Sequence, residues 1–262
     1  AAHTNGLFNM KAIYCLNYLV GSVGREGGVL FNPTSPLEGM PASSNVASFT
    51  AWQNLADEMR QGTVELFMVR GAKPVHGLPG AVDFAGALSN VTNVVAFSSY
   101  MNETVAMADL VLPEPTYLET WGDDIPEPGP GYQTVTIQQP VVGPFEGTDT
   151  RAFGDVLLAV AERLGGQMAE KLPWGTMQDV LRENAWQLHD RNKGSIHGGS
   201  REEFWSAVVR RGGWWDTGTR ASSNATPPPR LPEEPVEPEF EGGMGSGSFY
   251  LMPFSSLSLG EG

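Results

Sequence analysis

The feature that most constrains the fold is a regular alternation of short apolar runs and helical segments in residues 64–112. Strand character is predicted for 64–69, 91–98 and 110–112, and helical character for 82–88 and 103–107. Strands that alternate with helices at this spacing form parallel βαβ units, in which helices cover both faces of the sheet. The sequence therefore predicts the α/β class, with a Rossmann-like parallel sheet and flanking helices.

The position of a binding site follows from this architecture. In open parallel sheets, ligands lie beyond the carboxyl ends of the strands. Three loops follow the predicted strands: 70–74 (RGAKP), 98–104 (SSYMNET) and 113–119 (PEPTYLE). We expect these loops to meet at one rim of the sheet and to form the candidate site.

Further segments extend this core. Helices are predicted at 5–20, 51–61, 151–164, 176–188 and 201–211, and an edge strand at 134–138. Ser200 and Glu203 have the spacing of a capping box at the start of the last helix.

Two of these helices are expected to bury one apolar face each. In 5–20 the apolar residues are Phe8, Ala12, Cys15, Leu16, Leu19 and Val20. In 151–164 they are Phe153, Val156, Leu157, Val160 and Leu164.

The organisation along the chain has five parts. They are 1–50, a helix and glycine loop that enter the domain; 51–124, the Rossmann-like core; 125–221, helical additions; 222–247, an extended acidic linker; and 248–262, where strand character returns. The linker is rich in Pro, Gly and Glu and poor in core residues, which is typical of an extended arm. We interpret the chain as a piece of a larger protein, because it starts without Met and ends in an apolar, strand-like segment.

Charge and cysteine content exclude several classes of function. The formal net charge is −14, so the basic surface that a nucleic-acid-binding protein needs is missing. One cysteine, Cys15, cannot form an internal disulfide or supply the ligands of an iron–sulfur cluster. The four histidines are scattered without an i, i+4 pair, which argues against a zinc hydrolase. No apolar run approaches the ~18 residues of a membrane span.

The acids that follow the third strand allow two interpretations. Glu119, Asp123 and Asp124 could form a general acid–base set. In the structural interpretation, which we favour, prolines stop a buried strand and Asp109 tethers its start. Glu119 then accepts hydrogen bonds from backbone amides or pairs with an arginine.

The glycine-rich stretch at 21–28 is not a dinucleotide fingerprint. Its spacing is GxxGxxGG, and no strand precedes it. We predict a helix C-cap and a tight loop there. A stand-alone nucleotide-binding module is disfavoured, because a glycine loop that cradles phosphate is missing.

Residues 70–123 resemble the third domain of the molybdopterin-dependent oxidoreductases, the dimethyl-sulfoxide-reductase family. The matching elements occur in the same order over about 55 residues. They are Gly71 and Pro74, Glu103-Thr104, Ala108 to Pro113, Glu119 and Gly122. The opening stretch is similar to the helix and glycine turn that precede that domain. The ending, 248–262, is similar to the start of the family's C-terminal β-barrel domain.

The resemblance implies that the rim loops hold the guanine-nucleotide end of molybdopterin guanine dinucleotide. If that cofactor is retained, the binding residues implied are Gly71, Lys73, Pro74, Ser98, Glu103, Thr104 and Asp109. Lys73 departs from the family, which usually has Asn at this position. No catalytic residue and no metal ligand are assigned in this chain.

Within the family, the chain is most similar to the large iron–sulfur subunit of bacterial alternative complex III. This resemblance implies a molybdopterin-oxidoreductase-like scaffold without molybdenum, peripheral to the periplasmic side of the bacterial cytoplasmic membrane. It also implies iron–sulfur clusters elsewhere in the large subunit, with haem c and quinol-binding membrane subunits as partners. The alternative is the catalytic subunit of a molybdenum enzyme that binds the dinucleotide cofactor, such as a polysulfide or thiosulfate reductase.

Overall fold

The computed structural model describes residues 4–38, 46–127, 129–220, 227–239 and 249. Its helices are α1 (Gly6–Leu19), α2 (Phe49–Arg60), α3 (Pro74–Gly77), α4 (Phe84–Leu88), α5 (Phe153–Leu164), α6 (Gly166–Lys171), α7 (Met177–Asp190) and α8 (Arg201–Arg211), with short 3-10 turns at Gly80–Val82 and Val105–Met107. Its strands are β1 (Leu66–Arg70), β2 (Asn93–Ser98), β3 (Leu110–Pro113), β4 (Gly122–Asp124), β5 (Tyr132–Gln138) and β6 (Gly213–Arg220).

The chain forms two compact units. The smaller unit contains the described residues within Ala1–Thr34, Pro126–Gln133 and Asp216–Gly260. The larger unit contains those within Ser35–Ile125 and Thr134–Trp215.

The larger unit contains the expected parallel sheet, in the order β1-β2-β3. Leu66 of β1 pairs with Asn93 of β2, and Val95 of β2 pairs with Leu110 of β3, both in parallel register. The middle strand is the most apolar, and its side chains Val94, Ala96 and Phe97 are buried. The α/β prediction with a parallel sheet is therefore confirmed.

Helices α2 and α4 pack against this sheet. Ala56 and Met59 of α2 are fully buried in a core that also contains Val94 of β2. The Phe84 ring of α4 makes edge-to-face contacts with Trp52 and Phe67, at centroid distances of 5.8 and 6.0 Å. Such aromatic contacts bury large apolar areas, so they anchor one helical layer on the sheet.

A second core surrounds Trp214. It contains the buried side chains of Val135, Ile137, Leu181, Leu188, Phe204 and Val208. Trp214 is completely buried, and its indole Nε1–H donates to the carbonyl oxygen of Lys193 at 2.9 Å. Gly194 leaves room for this indole, since a Cβ at that position would lie 2.4 Å from the ring.

The strand expected at 134–138 is present, but it is not an edge strand. The segment belongs to β5, the middle strand of a second sheet with the order β4-β5-β6. β4 and β5 are antiparallel, and the Ile137 N–H donates to the Gly212 carbonyl oxygen at 3.0 Å, next to β6. β6 was not predicted from the sequence, because Gly, Asp, Thr and Arg interrupt its apolar pattern. Segment 125–221 thus contains strands as well as helices α5–α8.

The apolar face predicted for residues 151–164 is correct only in part: Phe153, Val156 and Leu157 are half-buried, but the last two residues of the predicted face are exposed. Leu158 and Ala161 are the buried residues of α5, whereas Val160 and Leu164 are 47% and 67% exposed. The side of α5 that carries Gly154 faces Met177 at the start of α7. A Cβ at position 154 would lie 2.3 Å from the Met177 side chain, so close approach of the two segments decides the orientation.

The smaller unit contains α1 and the described part of the predicted linker 222–247. Residues 227–239, which we call the arm, form neither helix nor strand. The apolar face predicted for 5–20 is correct only in part: Leu16, Leu19 and Val20 are 57%, 80% and 75% exposed, whereas Phe8, Ala12 and Cys15 are half-buried. Residues 222–226 and 240–247 lie outside the described residues, as does the predicted strand 248–262 apart from Phe249.

The predicted capping box at the start of α8 is present. The Ser200 hydroxyl accepts the Glu203 N–H at 3.2 Å, and the Glu203 carboxylate accepts the Ser200 N–H at 2.8 Å. We expect Ser200→Ala to lower the free energy of unfolding by about 1 kcal/mol, because an N-cap partner is lost. Ser206→Ala, at an exposed position inside α8, is the control and should not destabilise the protein. Urea unfolding followed by circular dichroism measures both, and equal effects would contradict the capping role.

Candidate functional site

A cavity of about 370 Å³ lies at the carboxyl end of the parallel sheet. The loops after β1 and β2 and the residue after β3 form it, as expected from the topology. It is lined by Val69, Gly71, Ala72, Lys73, Phe97, Ser98, Ser99, Tyr100, Met101, Asn102, Val105 and Glu114. A cavity of this size can hold one small ligand or one end of a larger ligand.

The loop after β1 forms the first side of the cavity. Gly71 has a φ of +64°, a left-handed conformation that glycine adopts without strain. Lys73 is exposed and follows Gly71 at the rim, and Pro74 is buried as the first residue of α3. Pro suits this position, because the first amide of a helix has no intrahelical partner.

The loop after β2 forms the second side and is shaped by its own polar side chains. The Ser98 hydroxyl donates to the Tyr100 carbonyl oxygen at 2.7 Å and accepts the Tyr100 N–H at 3.2 Å. The Asn102 side-chain oxygen accepts the N–H groups of Thr104 and Val105 at 3.0 and 3.1 Å. This loop is therefore held in a defined conformation.

An ion pair closes the third side. Arg70 Nε lies 2.8 Å from Glu114 Oε1, and the Arg70 guanidinium lies 4.8 Å from the centroid of the Phe153 ring. Glu114 is only 11% exposed, so its charge is largely removed from water and held by the arginine. This pair was not predicted from the sequence. Their positions in the sequence could have indicated the pair, because Arg70 ends one strand of the parallel sheet and Glu114 directly follows another.

The structure brings Gly71, Lys73 and Ser98 together in the lining. Pro74 is buried at the start of α3 and does not line the cavity. Thr104 is completely buried outside the lining, and its hydroxyl accepts the Val75 N–H at 3.2 Å. It therefore ties the second loop to α3.

Two further predicted residues do not reach the cavity lining. Glu103 is exposed, and its carboxylate lies 3.9 Å from the His76 ring. Asp109 precedes β3, and its carboxylate accepts the Val94 N–H of β2 at 2.7 Å. Because the strands are parallel, Asp109 lies at the amino end of the sheet, opposite the cavity. The tethering role expected for it is confirmed.

Glu119 connects two loops of the larger unit. One carboxylate oxygen accepts the N–H and the hydroxyl of Thr116 at 2.6 and 2.8 Å, and the other accepts the Phe145 N–H at 2.9 Å. The hydrogen bonds from Thr116, and then that from Phe145, hold the pKa of Glu119 below its ordinary value. The structural interpretation of Glu119 is confirmed.

Asp123 and Asp124 are consecutive residues of β4, so their side chains point to opposite faces of the strand. Burial raises the pKa of Asp123, with a smaller contribution from the charge of Asp124. Consecutive carboxylates on opposite faces do not converge on one reacting atom. The acid–base set is therefore not assembled.

His189 is a structural residue at the end of α7. One ring nitrogen lies 3.0 Å from the Asp190 carboxylate, and the other lies 3.1 Å from the Gly199 carbonyl oxygen. The Asp190 carboxylate, and then the Gly199 carbonyl, raise the pKa of His189. Among the described residues, no group of three or more His, Cys, Asp or Glu side chains could hold a metal ion. In the same part of the chain, no helix combines the length and apolar character that crossing a membrane requires.

Comparisons with known proteins agree with this geometry. The family model for molybdopterin oxidoreductase matches residues 1–130. A menaquinone reductase, molybdopterin-binding-like subunit, of Nitratidesulfovibrio vulgaris is 31% identical over 185 residues, which cover 69% of this chain and 26% of that protein. The chain belongs to the molybdopterin oxidoreductase family.

Subunits of two other reductases are also similar to the chain. A selenate reductase subunit of Mesobacillus selenatarsenatis is 22% identical over 248 residues, covering 71% of this chain and 23% of that protein. A tetrathionate reductase subunit of Salmonella typhimurium is 31% identical over 220 residues, covering 61% of this chain and 21% of that protein. The chain thus spans about a quarter of the length of these curated relatives.

The fold is shared with acetylene hydratase from Pelobacter acetylenicus. The TM-score is 0.52 at 18% identity, and the match covers 70% of this chain and 23% of that structure. At this identity, the similarity describes the fold alone.

The residues that the resemblance implies as cofactor contacts divide between the cavity lining and other places. Gly71, Lys73 and Ser98 could face a nucleotide, but the Glu114 carboxylate is already engaged by Arg70. The side chains of Glu103, Thr104 and Asp109 make other contacts outside the lining. Three of the seven residues that the resemblance implies thus line the cavity, and three make other contacts.

Glu119 provides a test of the loop connection. We expect Glu119→Gln to lower the melting temperature at pH 7, because a neutral amide accepts the N–H bonds more weakly than a carboxylate. A carboxyl group with a lowered folded pKa stabilises the protein above its unfolded pKa, and this contribution is lost as the pH falls through the folded pKa. The difference between the variant and the natural protein should thus shrink in acid.

The control is Glu146→Gln, at an exposed acid close to Phe145. Thermal unfolding is measured for the three proteins at neutral and acidic pH. A pH-independent difference for Glu119→Gln would contradict the ionic character of the connection.

Proposed function

We propose that this chain is part of the large iron–sulfur subunit of a membrane-attached, quinol-oxidising complex of the alternative complex III type. In this role it is a molybdopterin-oxidoreductase-like scaffold without bound molybdenum. Electrons pass through iron–sulfur clusters in another part of the large subunit. The partners are haem c subunits, quinol-binding membrane subunits and the remainder of the same polypeptide. The location is the periplasmic side of the bacterial cytoplasmic membrane, as a peripheral component.

The observation that carries this proposal is the set of polar groups at the cavity. Lys73 occupies the rim where the related enzymes usually have Asn, and Glu114 is neutralised by Arg70. Glu103, Thr104 and Asp109 contribute to structure elsewhere. The cavity at the carboxyl ends of the strands is thus present, but few of the residues expected to contact the cofactor line it.

One relative supports the link to quinone chemistry. It is named as a component of menaquinone reductase and described as molybdopterin-binding-like. A component of that kind combines the family fold with a quinone-linked enzyme. The two other relatives are also named as reductase subunits, which supports a place in a multi-subunit assembly.

The second candidate is a catalytic molybdenum subunit, such as that of a polysulfide or thiosulfate reductase. The cavity itself favours this alternative, because Gly71, Lys73 and Ser98 meet at the sheet edge where the family's nucleotide would lie. In that case the loops 71–74 and 98–104 would hold the nucleotide end of the cofactor. The rest of the cofactor would contact other parts of the protein.

Metal analysis of the intact complex separates the two candidates. The scaffold proposal predicts iron and haem without molybdenum, and no extractable pterin. The measurement is inductively coupled plasma mass spectrometry on the purified complex, together with fluorescence of the oxidised pterin. Stoichiometric molybdenum with pterin would overturn the scaffold proposal.

A cavity-filling substitution gives an independent test. Ser99 lines the cavity from an exposed position, so Ser99→Trp should place an indole in the cavity without disturbing a buried contact. Under the scaffold proposal, the quinol-oxidation rate of the complex stays that of the natural protein. Ser99→Ala is the control for loss of the hydroxyl. A large fall in rate for the Trp variant alone would favour a bound cofactor.

A further inference from the structure

Residues 197–199 form the last part of the loop between α7 and α8. Ile196, which precedes them, is buried, and Ser200, which follows them, is the N-cap of α8. Residues 197–199 themselves are exposed. In the part of the chain that the structure describes, they make one hydrogen bond, which joins the Gly199 carbonyl oxygen to the His189 ring at the end of α7. This bond therefore holds the segment against α7.

The His189 ring lies between two hydrogen-bond acceptors. Nδ1 lies 3.0 Å from an Asp190 carboxylate oxygen, and Nε2 lies 3.1 Å from the Gly199 carbonyl oxygen. The Arg201 guanidinium donates to the same carboxylate and lowers the pKa of Asp190, so this acid is ionised near neutral pH and can only accept. A neutral imidazole carries a single N–H. The ring therefore makes both bonds only as the imidazolium.

Loss of the proton from His189 removes the bond to Gly199. The Asp190 carboxylate favours the tautomer that keeps a hydrogen on Nδ1, so Nε2 then directs a lone pair at the carbonyl oxygen. Gly198 and Gly199 have φ values of +67° and +76°, in a region where glycine is free to change conformation. The released segment can thus rotate at these two residues.

The same peptide unit reaches the start of α8. The Gly199 carbonyl oxygen and the Ser200 N–H belong to one planar group. His189 holds the oxygen, and the Glu203 carboxylate accepts the N–H at 2.8 Å, as one half of the capping box. Release of the oxygen leaves the peptide unit held at one end only. The proton on His189 is thereby linked to the first turn of α8.

Two charged groups act on the His189 ring. The Asp190 carboxylate, followed by the Gly199 carbonyl, raises the pKa of His189, and Arg201 opposes this with a smaller effect. The Phe204 ring of α8 packs edge-to-face on the imidazole, with a centroid distance of 5.3 Å. Within the described residues, the acids on other segments packed against α7 are not hydrogen-bonded to the ring: they are Glu203 of α8, Asp123 and Asp124 of β4, and Glu38, whose N–H donates to Gln187.

We propose that His189 is a pH-sensitive latch on the loop between α7 and α8, closed in the imidazolium form and open at residues 197–199 in the neutral form. A group whose pKa is higher in the folded than in the unfolded state stabilises the closed form below its unfolded pKa. This contribution is lost as the pH rises through the folded pKa, so the latch opens toward alkaline pH. The proposal is independent of the cofactor question, because no residue of the latch lines the cavity.

Protonation of His189 can be measured without any substitution. Exchange of the imidazole Cε1–H with deuterium, read by peptide mass spectrometry over a range of pH, reports the titration of each histidine. The sample is the full-length protein purified from its native source with its partners retained. His189 should titrate at higher pH in the folded than in the urea-unfolded protein. Equal midpoints in the two states would overturn the proposal.

A matched pair of acid substitutions tests the contact that holds the proton. Asp190→Asn should lower the midpoint of His189 in the folded protein, because the carboxylate is the main cause of its raised pKa. Glu202→Gln, at an exposed acid in the first turn of α8, should leave the midpoint nearly unchanged. Equal shifts in the two variants would contradict the assigned bond between His189 and Asp190.

Amide exchange at Ser200 reads the opening of the latch in the same full-length protein. Its rate relative to that of the unfolded chain should rise about fivefold as the pH passes the His189 midpoint, the factor expected for loss of one ordinary hydrogen bond. His189→Gln should abolish this pH dependence, and His197→Gln, at an exposed histidine of the same loop, should retain it. A pH-independent relative rate in the natural protein, or an unchanged pH dependence in His189→Gln, would overturn the proposal.

Discussion

The register of β2 is the constraint on which the larger unit depends. β2 pairs with β1 on one side and with β3 on the other, and its side chains are buried on both faces of the sheet. A slip by one residue would exchange the two faces and misplace every buried side chain. The Asp109 carboxylate fixes the amino end of this register by accepting the Val94 N–H. The loop that shapes the cavity begins at Ser98, where β2 ends. The register of β2 therefore determines where the cavity lies.

The acids between β3 and β4 act on loop geometry. Glu119 joins residues 116 and 145, which are 29 positions apart in sequence, through one carboxylate. Charged acceptors form stronger bonds to amides than neutral ones, so a single side chain can hold both loops. The same property lowers the pKa of Glu119 and makes it a poor proton donor near neutral pH. Structural use of this carboxylate thus excludes the general-acid role that its spacing first allowed.

Local patterns in the sequence were sufficient for the parallel sheet and for the α8 cap. Apolar runs of four to eight residues, helical spacing between them, and Ser200 with Glu203 act over short distances in the chain. The orientation of α5 was not accessible in this way, because it is set by contact between Gly154 and Met177. β6 was missed for a related reason: its pairing with β5 outweighs a composition that has weak strand propensity. The candidate site was predictable as a location, whereas the Arg70–Glu114 pair required the distances in three dimensions.

The distribution of charge separates two surfaces. At the cavity, the Arg70–Glu114 pair is locally neutral, which leaves Lys73 as the cation of the lining. The arm, residues 227–239, concentrates glutamates: it carries Glu233, Glu234, Glu237 and Glu239. The arm can therefore attract basic groups over a distance, and salt weakens this attraction.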